Sequence, residues 1–215
     1  MSATGFFITL EGPEGAGKST QLKLLADHLT GAGHSVVVTR EPGGTPLAES
    51  IRDVVKHFSG PEPMHPETEL LLFAAARVQH VRQVIKPALD AGKIVLCDRF
   101  ADSTEAYQGA GRELDADFLR KLNHFATFWR MPDLTILIDL APEIGMARAR
   151  ARALQLGLVQ ENDRMEAEKM DFHRKVREGF LAIARREPER VKVFDGALPA
   201  ELLHREIVKA VYDVL

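Results

Sequence analysis

The sequence predicts an α/β fold, a five-stranded parallel sheet flanked by helices on both faces. Three observations predict it. Short apolar or β-branched runs recur five times, and each is followed by a stretch with helical spacing. The first run leads into Gly12-Pro13-Glu14-Gly15-Ala16-Gly17-Lys18-Ser19-Thr20, a glycine-rich loop whose setting is a strand before and a helix after. Glu11, Arg40, Asp98 and Asp139 fall at the ends of these runs, the edge where a parallel sheet collects ligands.

The elements follow in order. Phe6 to Leu10 has strand chemistry, and Gln21 to Gly33 carries Leu22, Leu24, Leu25, Ala26 and Leu29 at helical spacing, closed by Gly31 and Gly33. Ser35 to Thr39 reads as a second, buried strand, ending in the turn Arg40 to Thr45. A helix from Pro46 to His57 and a loop over Ser59 to Pro63 come next. Pro66 starts a long helix that runs through Leu70 towards Leu89, with Pro87 as a candidate bend and Gly92 as its stop. Ile94 to Cys97 is the third strand, and helices over Asp102 to Gly109 and Asp115 to Arg130 follow it. Leu134 to Ile138 is the fourth strand, and Pro142 opens a helix carrying Arg148, Arg150 and Arg152. A polar helix from about Asp163 to Arg186, a strand over Val191 to Phe194 and an amphipathic helix from Leu202 to Leu215 complete the chain.

The 215 residues suit a single domain, 1–215, without repeats or an interdomain linker. A net charge of −3 provides no field to recruit nucleic acid or an acidic membrane. No run approaches a bilayer span and no secretory signal is read, so the expected compartment is the cytoplasm. The single Cys97 is expected to be a buried reduced thiol, and the eight His show no metal-ligand spacing.

The glycine-rich loop fits the phosphate-loop pattern, and its chemistry asks for each part. Gly12, Gly15 and Gly17 allow backbone conformations that turn several N–H groups inward around one anion. The positive end of the following helix points at the same place. Lys18 would supply charge to the terminal phosphates of a nucleotide, and the Ser19 hydroxyl would hold Mg²⁺. A metal-organising carboxylate is also needed. Asp98, followed by Arg99, and Asp139, able to cap the next helix, compete for that role, and the pattern favours Asp98. Phe73 and Arg77 share a helix face, which the residues alone read as core with a solvated arginine.

Leu96-Cys97-Asp98-Arg99-Phe100-Ala101-Asp102-Ser103-Thr104-Glu105-Ala106-Tyr107-Gln108 resembles the signature of thymidylate kinases. The resemblance extends to Glu11 through Lys18, to Thr39 through Thr45 and to Leu71 through Arg77. It implies a P-loop nucleoside monophosphate kinase fold with a mobile lid, roughly 146–166, and usually a homodimer. The implied reaction moves the γ-phosphoryl group of ATP to thymidine monophosphate (dTMP), with Mg²⁺. By resemblance, Phe73 stacks on thymine and Arg77 reads a base carbonyl, Thr104 and Gln108 lie near the base, and Tyr107 crowds the sugar 2′ position. Arg52 grips the acceptor phosphate, Arg99 holds phosphate between donor and acceptor, Glu14 lies near the sugar and the metal, and Glu41 belongs to the substrate site. Gly15 stands where some relatives have a loop arginine, so the lid is expected to supply the charge, from Arg152 first and then Arg148, one turn apart on one face. A guanine-reading Asn-Lys-x-Asp string is absent, the asparagines being Asn123 and Asn162 alone, which weakens a GTPase reading.

Overall fold

The structure, a computed structural model, describes residues 5–155, 164–165 and 167–215. Strands β1 (Phe6–Glu11), β2 (Val36–Arg40), β3 (Ile94–Asp98), β4 (Leu134–Asp139) and β5 (Val191–Asp195) form one sheet in the order β2-β3-β1-β4-β5, parallel throughout. β1 is central, with Thr9 in register with Cys97 on one side and Thr135 on the other. The chain order reverses across β1, so the loops leaving β1, β3 and β4 open a crevice at the carboxyl edge.

Alternation along the strands divides the core in two. Ile8, Leu10, Ile94, Leu96, Leu134 and Ile136 point to one face, where α1 (Lys18–Gly31) and α9 (Ala200–Tyr212) supply Leu25, Leu29, Ile207 and Val211. Phe7, Val95 and Cys97 point to the other, beneath Val81, Ile85 and Leu89. On that same side α8 (Met170–Arg186) brings Phe172, Val176 and Phe180 against Tyr107 and Leu137. Cys97 is buried and free, as expected.

The connecting helices carry several corrections. Thr45 caps α2 (Pro46–His57), accepting from Ala48 N–H at 3.2 Å, and Pro46 takes the first turn, where a missing N–H is harmless. The long helix begins as α3 (Pro66–His80), widens into a π-type turn over Val81–Ile85 and resumes as α4 (Lys86–Asp90). The wide turn precedes Pro87 and accommodates its missing N–H and its ring, so the disturbance is a bulge rather than a break. Helix α5 (Ala101–Thr104) likewise widens over Glu105–Gly111 and passes the expected end at Gly109. Asp115 caps α6 (Ala116–Thr127), accepting from Phe118 N–H at 2.7 Å. That helix stops before Arg130 because Phe128 and Trp129 both turn left-handed, at φ 53° and 62°.

Helix α7 (Pro142–Gln155) carries the three arginines, and most of the expected lid beyond it lies outside the described residues. The polar helix does not extend back towards Asp163. Arg164 and Met165 form a turn whose Arg164 N–H donates to the Lys56 carbonyl at 3.2 Å, and α8 starts only at Met170. β2 is not the buried strand expected at 35–39. It is a sheet edge, paired only with β3, and Val38 is 52% exposed.

Candidate active site

The loop between β1 and α1 is pressed against its neighbours. A Cβ on Gly12 would lie 2.2 Å from the Ile138 carbonyl oxygen, and one on Gly15 would lie 2.0 Å from that of Gly145. With φ of 136° and 69° at these positions, both space and backbone require glycine. Lys18, the first residue of α1, folds back into the loop, its Nζ donating to the carbonyls of Gly12 (3.1 Å) and Pro13 (2.7 Å). Burial, then the nearby Arg99 charge, pulls its pKa down to about 8. Ser19 Oγ donates to Asp98 at 2.9 Å, which sets a hydroxyl and a carboxylate side by side at the loop's exit. Asp139 is engaged elsewhere, held at 2.7 Å by both Nε and Nη2 of Arg177.

Arg99 stands on a left-handed backbone, φ 66°, a conformation that costs a non-glycine residue about 1–3 kcal/mol unless its surroundings impose it. Glu11 imposes it. This buried carboxylate accepts from the N–H groups of Phe100 (2.6 Å) and Ser103 (3.3 Å) and from Ser103 Oγ (2.6 Å). Burial, reinforced by Asp102, raises the Glu11 pKa to about 8. The guanidinium of Arg99 reaches the Gly12 carbonyl (3.0 Å), Ser103 Oγ (3.2 Å), the Tyr107 hydroxyl (3.1 Å) and Glu14 (3.3 Å). It is therefore a bridge between the loop and α5, not a surface partner of Asp98. Burial pushes the Tyr107 hydroxyl up to about 12. At Glu14 burial works in the same direction, yet Lys18 and Arg99 outweigh it and hold the carboxyl at about 2.

A cleft of about 270 Å³ opens in front of these groups. Its walls include Phe73, Arg77, Arg52, Thr104, Tyr107 and Gln108, so residues far apart in sequence meet in one place. Phe73 is half-buried on this wall rather than sealed in the core. Arg77 is not solvated: it is 2% exposed, with Nε on Glu41 (2.8 Å), Nη1 on Thr104 (3.0 Å) and Asn123 (2.8 Å), and Nη2 on the Phe100 carbonyl (3.2 Å). Glu41 lines the cleft while also accepting from Arg77, and its other oxygen meets His80 Nδ1 at 3.1 Å. Arg52 donates to the Pro42 carbonyl at 2.9 Å.

A second recess lies on the other side of the loop, between Ala16, Thr20, α7 and the turn Gly196 to Pro199. Arg148 faces this recess alone and donates to the Gly196 carbonyl at 2.8 Å, whereas Arg152 borders both recess and cleft. The two arginines thus share a helix face and border the same recess, but Arg152 alone of the two also reaches the cleft. Gly12 and Pro13 contribute carbonyls to Lys18, while Glu14, Gly15, Gly17, Lys18, Ser19 and Thr20 line the cleft and Ala16 the recess.

Several participants escaped the sequence reading. Glu69 lies one turn before Phe73, and that spacing placed it on the same helix face. Asn123, the one amide in an otherwise ordinary amphipathic helix, offered a weaker sign. Nothing local marked the turn at Gly196 or the pairing of Asp139 with Arg177.

Comparison with known proteins gives one result throughout. A family model described as Thymidylate kinase matches residues 10–207. The thymidylate kinase of Syntrophotalea carbinolica is 52% identical over 204 residues, covering 93% of this chain and 92% of that protein. The thymidylate kinase of Thermomicrobium roseum is 51% identical over 210 residues, covering 98% and 96%. A crystal structure of thymidylate kinase from Ehrlichia chaffeensis superposes with a TM-score of 0.75 at 37% identity, covering 96% of this chain and 98% of that one.

The depressed Glu14 carboxyl makes an acid-side prediction. Its pKa is 4.5 unfolded and about 2 folded, so folding favours the charged form. That contribution is complete above about 4.5 and is lost as pH falls towards 2. In urea unfolding, wild type and Glu14→Gln are expected to differ most at neutral pH and to converge over this acid window. Curves that stay parallel would contradict the assignment.

Proposed function

The chain belongs to the thymidylate kinase family, and we propose that its cleft takes the acceptor nucleotide while the recess across the loop takes the donor. It is an ATP-dependent phosphotransferase of nucleotide biosynthesis with thymidylate kinase function. In the proposed reaction the γ-phosphoryl group of ATP passes to dTMP, giving dTDP and ADP. One observation carries this reading. Lys18 Nζ and Arg99 Nη1 meet at the same Gly12 carbonyl, so two cations converge where cleft and recess adjoin.

The division of labour follows from position. The loop's N–H groups and Lys18 hold the donor's terminal phosphates, and the second recess receives the rest of that nucleotide. Arg99 faces the transferred group and Arg52 the acceptor phosphate. Phe73 gives the thymine ring a flat surface, Arg77 and Thr104 give its edge polar partners, and Tyr107 walls the sugar. Ser19 and Asp98 form an oxygen-only pair that suits a hard cation completed by phosphate oxygens and water. Mg²⁺ held there would neutralise charge on the phosphates. No general base is needed, because the dTMP phosphate is already an anionic nucleophile. Arg152, bordering both cavities, is placed to spread charge on the moving phosphoryl group, and closure over the site would exclude water as a competing acceptor.

The protein is proposed to act as a homodimer. Phe118 and Phe125 lie on one face of α6, with Trp129 beyond its end, and Phe125 and Trp129 are 68% and 76% exposed. Leu71 on neighbouring α3 is exposed too, an apolar surface that a second copy would cover.

A coupled assay of ADP release is expected to show turnover with dTMP and far less with dCMP or GMP; equal turnover would refute the acceptor assignment. Lys18→Ala should retain the wild-type circular dichroism spectrum and lose turnover, and near-normal rates would remove the loop from its central role. Arg152→Ala is expected to lower kcat by about 10³-fold, as loss of a charge-stabilising arginine does. Arg148→Ala should mainly raise KM for ATP, and the reverse pattern would exchange the two roles. For the dimer, Phe125→Glu is expected to halve the mass measured by light scattering, and an unchanged mass would place the interface elsewhere.

A further inference from the structure

We propose that Glu69 sets which nucleobase the cleft accepts, by fixing the side-chain amide of Gln108. The inference rests on the reading above that the cleft holds a nucleotide acceptor. Glu69 is 1% exposed, and four N–H groups converge on its carboxylate. Oε1 accepts from Gln108 Nε2 (3.0 Å) and Arg112 Nε (3.2 Å), and Oε2 from Nη2 of both Arg112 (3.2 Å) and Arg164 (3.3 Å). Guanidinium groups only donate, so the carboxylate they clamp can only accept. Gln108 must therefore give Glu69 the amino side of its amide, and its carbonyl oxygen is turned away from Glu69.

Gln108 is buried and lines the cleft, as Arg77 does. Arg77 is donor-only, so this end of the cleft presents a fixed donor and a fixed acceptor. Thymine and uracil carry a carbonyl oxygen beside a ring N–H, which complements that pair. Cytosine carries an amino group beside a bare ring nitrogen, the inverse pattern, and would leave buried polar groups unpaired. Glu69 itself does not line the cleft, which makes it a positioning residue acting through Gln108. Its second oxygen and Arg164 add stiffness, because Arg164 also donates to the Val55 carbonyl at 2.9 Å.

The test compares wild type, Glu69→Gln and Gln108→Met in kcat/KM for dTMP, dUMP and dCMP at saturating ATP. The amide introduced by Glu69→Gln can donate as well as accept, so Gln108 is free to invert. The preference for dTMP over dCMP is expected to fall about tenfold or more, while that for dTMP over dUMP stays at its wild-type value. A role confined to packing would lower all three acceptors alike, and a folded Glu69→Gln enzyme with the wild-type ratio of dTMP to dCMP overturns the proposal. Should Glu69→Gln fail to fold, Gln108→Met decides: loss of the preference supports the assignment and its retention overturns it. A wild-type enzyme inactive on all three acceptors would instead strike at the acceptor site itself, and the inference would go with it.

Discussion

The Gly12 carbonyl oxygen accepts from both Lys18 and Arg99, and the site is built outward from that shared atom. Two cations brought this close repel, and burial adds a desolvation cost to each. The structure offsets this with carboxylates in graded positions. Glu14 touches Arg99 directly, and Asp98 stands beside Ser19. A phosphate chain entering the loop would add negative charge where the lysine now donates to two carbonyls. The arrangement is therefore already organised for an anion, the condition under which electrostatic stabilisation needs no rearrangement during reaction.

Such an arrangement depends on a rigid frame, and the parallel sheet supplies it. β1 lies between β3 and β4, so the loop after β1, the Arg99 turn after β3 and the start of α7 after β4 emerge as neighbours. Close backbone contact then locks them together, since the surroundings of Gly12 and Gly15 have no room for even one carbon. Arg77 is fixed just as firmly on the opposite wall. Four separate acceptors hold its guanidinium, and removing one partner of a buried ion pair such as Arg77 with Glu41 typically costs about 3–5 kcal/mol.

Much of this was legible in the sequence because it depends on local pattern. Apolar runs at strand length, Pro at helix starts and glycines in the phosphate loop are signals carried within a few residues, and they located the strands and most helix starts. The failures have a common physical origin. β2 is as β-branched as an inner strand, and only the sheet order, set by contacts distant in sequence, leaves it at an edge. Pro87 announced a disturbance but not that it would be a wide turn, and the wide turn after Thr104 is an adjustment of hydrogen bonding within a helix that no residue type announces. The start of α8 was misjudged because Arg164, polar and helix-compatible, is drawn to carbonyls on α2. Arg77 looked solvated because its four partners come from three different segments of the chain.

The competition between Asp98 and Asp139 shows how tertiary context decides between residues that local chemistry leaves equal. Both end inner strands at the same edge of the sheet, and both are half-buried. Arg177 lies on α8 and reaches Asp139 with two parallel N–H bonds, a geometry that uses both carboxylate oxygens. Among the described residues Asp98 has a single side-chain donor, the Ser19 hydroxyl, on one oxygen, and it lines the cleft. A carboxylate serving a cation needs open capacity, and one serving to anchor a helix needs the opposite. The same division recurs at Glu14 and Glu11, where the carboxylate lining the cleft is held ionised and the one behind it is raised by burial. Distance from the cleft therefore sorts these four acids into those that face the cleft and those that hold the scaffold still.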